Sequence, residues 1–105
     1  MQDISVEELA RWRESERAFV LLDVREPREI ALAAFPDAVH IPMRELPLRL
    51  RELNEDAEVA VLCHHGGRSA HVAQFLALHG FARVHNVAGG IDAYSLRVDP
   101  SIPRY

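Results

Sequence analysis

Residues 59–73 of this chain read VAVLCHHGGRSAHVA, and this stretch decides the fold. Its four leading apolar residues, bounded by polar ones, predict a strand covered on both faces, as in a parallel sheet. A glycine-containing loop follows, and Ser69 is a suitable N-cap for a helix that Gly80 would end. The only cysteine, Cys63, is therefore expected at the carboxyl end of a strand, where open α/β sheets bind ligands.

The surroundings of Cys63 favour a reactive thiolate. Free cysteine ionises near pH 8.5, and a helix N-terminus or nearby cations lower this value to about 3.5–7.5. Both influences are expected here, from the helix beginning near Ser69 and from Arg68. Gly66 and Gly67 let the backbone turn its N–H groups inward as a nest for negative charge. The alternative interpretation is a buried structural thiol that packs as a small apolar side chain.

Cys63, Gly66, Arg68 and Ser69 form a Cys-x-x-Gly-x-Arg-Ser loop that resembles the active-site loop of the rhodanese family of sulfurtransferases. Three further segments resemble rhodanese segments in the same order: LLDVREP at 21–27, PDAVHIP at 36–42 and GGIDAY at 89–94. The resemblance therefore covers nearly the whole chain. It implies a rhodanese-like α/β fold, with an open, mainly parallel five-stranded sheet and helices on both faces.

Two places depart from the family pattern. The chain has AFPD at 34–37, where the family usually has a Gly-His-Ile-Pro-Gly-type stretch, and Tyr94 where it usually has Trp. Neither place touches the cysteine loop. We expect these departures to affect local packing and substrate selection rather than the chemistry.

The rest of the chain alternates helix and strand patterns, which also specify an α/β fold with a largely parallel sheet. Ser5 and Glu8 form a capping box for a helix over residues 6–15. Further helices are predicted at residues 28–33, 44–53, 69–79 and 91–96, and strands at 19–24, 39–41, 59–62 and 83–87. The tail, residues 97–105, is predicted to lie extended over the body.

The composition narrows the classes of function. The chain has 105 residues and a formal net charge of −4, with 49% apolar and 27% charged residues. This suits one globular domain, residues 1–105, and argues against a general nucleic-acid binder. A lone cysteine favours a reducing compartment, and no stretch approaches the ~18 apolar residues of a membrane span. We therefore expect a cytoplasmic protein that binds neither nucleic acid nor membranes and needs no cofactor.

Asp23 and Arg25 also follow a strand, so they are expected at the same sheet edge as Cys63. The structural interpretation is that Asp23 accepts backbone N–H bonds in the turn and that Arg25 pairs with an acidic neighbour. The second interpretation, which the family resemblance supports, gives either residue a supporting role beside the active site.

The side chains of the loop have more than one possible role. Arg68 either helps an anionic donor to dock or braces the loop through a salt bridge, and both roles are compatible. Ser69 caps the helix, donates to the sulfur site, or does both. His64 and His65 are expected to point outward and to contribute to substrate recognition. A metal site is not expected, because zinc needs four tetrahedral ligands and adjacent histidines in a tight loop splay apart.

Four residues separate Cys63 from Arg68, whereas phosphatases related to the family have a loop one residue longer. The shorter loop resembles the sulfur-handling type and implies persulfide chemistry at Cys63. The expected partners are a small anionic sulfur donor such as thiosulfate and an external acceptor, either cyanide, a thiol or a protein. The alternatives are a phosphatase or arsenate reductase on the same fold, and a non-catalytic sulfur carrier or interaction module.

Overall fold

A computed structural model describes residues 1–105, and one sheet of five parallel strands forms its centre. The strands in chain order are β1 Gln2–Ile4, β2 Val20–Asp23, β3 Val39–His40, β4 Val59–Leu62 and β5 Val84–Val87. Their spatial order is β1-β5-β4-β2-β3, so β4 pairs with β2 on one side and with β5 on the other. The predicted mainly parallel five-stranded sheet is confirmed, and β4 is its middle strand.

The helices are α1 Val6–Glu14, α2 Pro27–Leu32, α3 Leu46–Arg49, α4 Gly67–Leu78 and α5 Gly90–Arg97. Ser5 caps α1 as predicted, because the N–H of Glu8 donates to its Oγ at 3.1 Å. Pro27 occupies the first turn of α2, where its missing N–H has no intrahelical partner to lose. None of the helices has the length and apolar character needed to cross a membrane.

The side chains of β4 alternate between two separate cores. Val59 and Val61 face one core, which they share with apolar residues of α3 and α4. Ala60 and Leu62 face the other core, which they share with residues of α1 and α5. Because successive strand residues point to opposite faces, a strand of four apolar residues requires a cover on each side. The helices on both faces of the sheet provide that cover, as predicted.

The first strand, β1, was not predicted from the residue pattern. It pairs in parallel with β5, with Asp3 opposite Asn86 and Ile4 opposite Val87. Its burial pattern explains the omission, because only Ile4 is buried and the strand carries no apolar run or alternation. The four strands read from the pattern lacked this edge strand, which only the family resemblance implied.

The predicted continuous helix over residues 44–53 is wrong. The chain instead forms a 3-10 turn at Met43–Glu45, the short α3, and a second 3-10 turn at Leu50–Glu52. Pro47 lies in the first turn of α3 and has no N–H to donate to the turn before it. Two tight turns and one α-turn therefore replace a regular helix.

Candidate active site

The loop after β4 brings two donors to the sulfur of Cys63. The N–H of Gly66 donates to Sγ at 3.0 Å, and the hydroxyl of Ser69 lies 3.2 Å from it. The side chain is buried, with a relative exposure of 1%. The sulfur therefore lies in the inner wall of the loop, where an anionic form would meet a backbone N–H and the N-terminal end of α4.

The path of the loop depends on Gly66. Its φ of +105° is left-handed, and it is the N-cap residue from which α4 begins at Gly67. Ser69 is therefore the third helical residue, so the prediction that it caps the helix is wrong. Its side chain is fully buried and its hydroxyl lies against the sulfur, and whether it donates there, the other role considered for it, depends on where its proton points.

The N-terminus of α5 fixes the carbonyl groups of the same loop. The N–H of Ile91 donates to the carbonyl of Cys63 at 3.0 Å, and the N–H of Asp92 donates to that of His64 at 3.1 Å. Gly90 makes this approach possible, because a Cβ there would lie 2.4 Å from the His64 carbonyl oxygen. The carbonyls of Cys63 and His64 are thus held toward α5. The N–H of Gly66 faces the sulfur instead.

A buried polar chain extends from the sulfur into the sheet. The Oγ of Ser69 donates to Oδ1 of Asn86 at 2.5 Å, and Nδ2 of Asn86 donates to Oδ1 of Asp3 at 3.1 Å. Ser69 and Asn86 are both buried. The sequence pattern did not identify Asn86, since it reads as one residue of a strand and its contacts come from β1 and α4.

Arg68 forms a two-bond ion pair with Glu29 of α2. The distances are 2.7 Å from Nη1 to Oε1 and 2.9 Å from Nη2 to Oε2. The pair raises the pKa of Arg68 and holds the pKa of Glu29 well below its usual range. The bracing role considered for Arg68 is thus present in the geometry. Its side chain also stays 33% exposed, so positive charge remains available beside the loop.

Asp23 and Arg25 form a fully buried pair at the end of β2. Nη2 of Arg25 lies 2.7 Å from Oδ2 of Asp23, and the N–H of Arg25 donates to Oδ1 at 3.1 Å. The guanidinium also donates to the carbonyl of Ala33 and to the hydroxyl of Tyr105. These contacts match the structural interpretation, and Tyr105 links the pair to the mouth of the site.

His64 and His65 do not splay apart as expected. Their rings are stacked with centroids 3.8 Å apart, and His64 stacks on Tyr105 at 3.9 Å on its other face. His64 is therefore half-buried. Its pKa is lowered, mainly by burial and to a smaller extent by the neighbouring His65. His65 points outward, with 67% of its side chain exposed.

His64, His65 and Asp92 are close enough together to raise the question of a metal site. One possible ligand atom from each of the three side chains lies within 4.8 Å of those of the other two. Asp92 already pairs with Arg104 at 3.0 Å. A metal at this place would have to compete with Arg104 for Asp92.

A cavity of about 610 Å³ opens in front of the loop. Its walls carry charged, aromatic and apolar side chains, namely Glu26, Arg28, Glu29, Leu32, His64, Arg68 and Tyr105. Sequence reasoning missed Glu29 and Tyr105, which lie far from Cys63 in the chain. The spacing of Glu26 and Glu29, which form a capping box at α2, is the one local signal that singles out Glu29.

Comparison with known proteins identifies the family. The Rhodanese-like domain model matches residues 5–97. A sulfurtransferase from Allochromatium vinosum is 35% identical over 90% of this chain and 89% of its own length. A chloroplastic Rhodanese-like/PpiC domain-containing protein from Arabidopsis thaliana is 44% identical over the whole chain, which spans only 38% of that relative.

A solved structure shows the same architecture. The crystal structure of a protein from Staphylococcus saprophyticus superposes with a TM-score of 0.86 at 33% identity, covering 99% of this chain and 100% of the other. The family match covers most of the residues that form the sheet, the loop and α5. The chain therefore belongs to the rhodanese-like family, as the resemblance of its motifs predicted.

Proposed function

We propose that this protein is a sulfurtransferase that carries sulfur as a persulfide on Cys63. One observation carries the proposal: the N–H of Gly66 donates to Sγ of Cys63 at 3.0 Å, at the N-terminus of α4. A backbone donor and a helix N-terminus both favour an anionic sulfur over a neutral one. The sulfurtransferase named among its relatives supports the same class of reaction.

The proposed reaction has two covalent steps. In the first, the Cys63 thiolate attacks the outer sulfur of thiosulfate, a sulfur–sulfur bond forms at Cys63, and the donor's own sulfur–sulfur bond breaks. Sulfite leaves with the electron pair of the broken bond. In the second, cyanide or a thiolate attacks the terminal sulfur of the persulfide, and Cys63 returns as the thiolate. No electron or proton is left unaccounted for in either step.

The loop and the cavity supply the remaining proposed roles. The persulfide would receive the Gly66 N–H, and Gly67 is the first residue of the helix whose N-terminus faces the negative charge. Arg68 and Arg28 line the cavity and would attract an anionic donor. His64 lines the cavity and His65 packs against His64, and both would contact donor or acceptor there.

Cys63 is the chain's only cysteine, so the acceptor must be external. The donor is proposed to be a small sulfur anion and the acceptor a thiol or protein. This proposal agrees with the cytoplasmic location predicted from the lone cysteine.

The test combines activity with mass. The wild type should transfer sulfur from thiosulfate to cyanide and should gain the mass of one sulfur atom after treatment with thiosulfate alone. Cys63→Ser should do neither, while Ala82→Ser, a distant loop substitution, should behave as the wild type. Activity retained by Cys63→Ser would disprove the assignment of the nucleophile. Hydrolysis of a small aryl phosphate without sulfur transfer would support the phosphatase alternative.

A sulfur carrier is the second candidate, and a similarity to a putative sulfur carrier protein of Bacillus subtilis, 39% identical over 85% of this chain and 48% of its own length, supports it. With 1% exposure, Cys63 must become more accessible before any acceptor, small or protein, reaches its sulfur. A persulfide that forms with thiosulfate, resists cyanide and is released only to a protein thiol would select this candidate over the enzyme.

A further inference from the structure

The proposed mechanism leaves the polar chain behind Cys63 without a role. This chain is Cys63–Ser69–Asn86–Asp3, with successive contacts of 3.2, 2.5 and 3.1 Å. Asp3 and Asn86 are directly opposite one another in the paired strands β1 and β5. The contacts therefore rest on the register of the sheet rather than on flexible side chains alone.

The direction of each hydrogen bond in the chain follows from the chemistry of its groups. A carboxylate oxygen only accepts, so Asp3 must face the amide nitrogen of Asn86. This orientation turns the amide oxygen of Asn86 toward Ser69, and an amide oxygen also only accepts. The hydroxyl of Ser69 must therefore donate to Asn86, at a distance of 2.5 Å.

A hydroxyl has one proton, so Ser69 has only lone pairs left for the sulfur. In this arrangement the contact between Ser69 and Cys63 forms only when the sulfur is a thiol and donates. A thiolate or persulfide needs a donor instead. Ser69 becomes that donor only by turning its proton from Asn86, whose buried oxygen then loses its partner.

We propose that Asn86 is a positioning residue that holds the proton of Ser69 away from the sulfur. Asp3 assists it by fixing the orientation of its amide. Asn86 thereby favours the thiol form of Cys63 in the resting protein and opposes Gly66, whose N–H favours the anion. The inference rests on the proposed function only in taking Cys63 as the reacting group.

The charged groups around this polar chain do not hold the proton of Ser69 away from the sulfur. Arg68 on α4 is paired with Glu29 of α2 through two hydrogen bonds, and this pair does not involve Asn86. His64 lies in the loop between Cys63 and Arg68. Asp23 and Arg25, at the end of β2, form an ion pair with each other, so their charges cancel. Asp3 stands at the far end of the chain and contacts Asn86 rather than the sulfur.

The test measures the rate at which iodoacetamide alkylates Cys63, at about pH 7 and at about pH 10. Raising the pH converts thiol to thiolate, so the rate at the higher pH depends less on protonation and more on access to the sulfur. Asn86→Leu removes the acceptor and frees the Ser69 proton for the sulfur. We expect its rate to rise about three- to tenfold at the lower pH and to stay unchanged at the higher pH.

Two further variants keep the proposal falsifiable. Asp3→Ala lies on an exposed residue and frees the Asn86 amide to turn, so it should raise the lower-pH rate in the same direction. In a Ser69→Ala background, Asn86→Leu should have no effect, because no proton remains to redirect. An unchanged lower-pH rate in both Asn86→Leu and Asp3→Ala would overturn the proposal. So would equal changes at both pH values, or an effect that persists without Ser69.

Alkylation needs no sulfur donor, so these results are independent of the proposed function. If the wild type transfers no sulfur and the alkylation rates still follow the expected pattern, the role of Asn86 stands and the proposed function fails. If the wild type transfers sulfur but the alkylation rates do not follow the expected pattern, the proposed function stands and the role of Asn86 fails.

Discussion

Gly90 lies directly against the backbone of Cys63: a Cβ at position 90 would be 2.5 Å from the Cys63 carbonyl oxygen. That carbonyl accepts the N–H of Ile91 at 3.0 Å. The GGID segment at 89–92 thus holds the cysteine loop from behind, and this close approach requires glycine at position 90. Two segments that are 27 residues apart form one structural unit around the sulfur.

This relationship predicts that Gly90→Ala will destabilise the protein. The added methyl group would collide with backbone atoms, which cannot rotate away, and φ at this position is +62°. We expect a loss of about 1–3 kcal/mol in the free energy of unfolding, measured by urea denaturation, and a loss of sulfur transfer.

Gly67→Ala is the matched control for stability. A Cβ at Gly67 would meet nothing within 4 Å, and the residue begins α4, where alanine is favourable. Its urea midpoint should equal or exceed that of the wild type. Equal loss in both variants would show that close contact with the loop is not the cause.

The buried pair at the end of β2 predicts a large effect for Arg25→Ala. The substitution would leave the carboxylate of Asp23, which is 1% exposed, without its partner. Removing one member of a buried pair typically costs about 3–5 kcal/mol. The urea midpoint should fall accordingly, whereas Arg44→Ala, which breaks ion pairs of a side chain that is 61% exposed, should barely move it. Similar shifts for the two variants would contradict this prediction.

Local patterns predicted the parts of this fold that local forces determine. The apolar run of β4, the cap at Ser5 and the C-terminal ends of α1 and α4 follow from residues close together in sequence. Strand β1 could not be read in this way, because its pairing with β5 rather than its own composition makes it a strand. The residue pattern therefore predicted every strand of the sheet except the edge strand β1.

The residues of the candidate site were likewise predictable only where a local sequence pattern identifies them. Cys63 and the glycines of its loop were identified from sequence, since a strand, a tight turn and a helix N-terminus leave a local pattern. Asn86 and Tyr105 were not, because they reach the site only through the sheet register and the path of the tail. The prediction for Ser69 failed because a left-handed glycine, which needs no side-chain cap, started the helix earlier.

The ion pair between Glu29 and Arg68 predicts a pH-dependent contribution to stability. The hydrogen bonds from Arg68 hold the pKa of Glu29 in the folded state below its ordinary value of 4.5. A carboxyl with a depressed folded pKa stabilises the protein above its unfolded pKa, and this contribution is lost as the pH falls toward the folded pKa. Glu29→Gln should therefore lower the free energy of unfolding near neutral pH, and its difference from the wild type should shrink steadily below about pH 4.5.

The measurement is urea denaturation of both proteins at several pH values. Glu14→Gln serves as the control, because Glu14 is exposed and its side chain forms no ion pair. That variant should differ little from the wild type at any pH. A difference for Glu29→Gln that is constant from neutral to acid pH would show that its charge is not what stabilises the fold.

The position of Tyr105 in the wall of the cavity predicts that reagents reach the sulfur through that cavity. Its ring stacks on His64, and its hydroxyl donates to Glu29 at 2.8 Å while accepting from Arg25 at 2.9 Å. Burial raises the pKa of this hydroxyl to about 12, so it still donates to Glu29 at about pH 10. Tyr105→Ala removes one wall of the cavity, and we expect Cys63 to be alkylated about three- to tenfold faster at that pH, because the reagent reaches the sulfur more easily. Tyr105→Phe keeps the stacked ring and should react at a rate much closer to the wild type. If the alanine variant reacts no faster than the wild type, reagents do not reach Cys63 through this cavity.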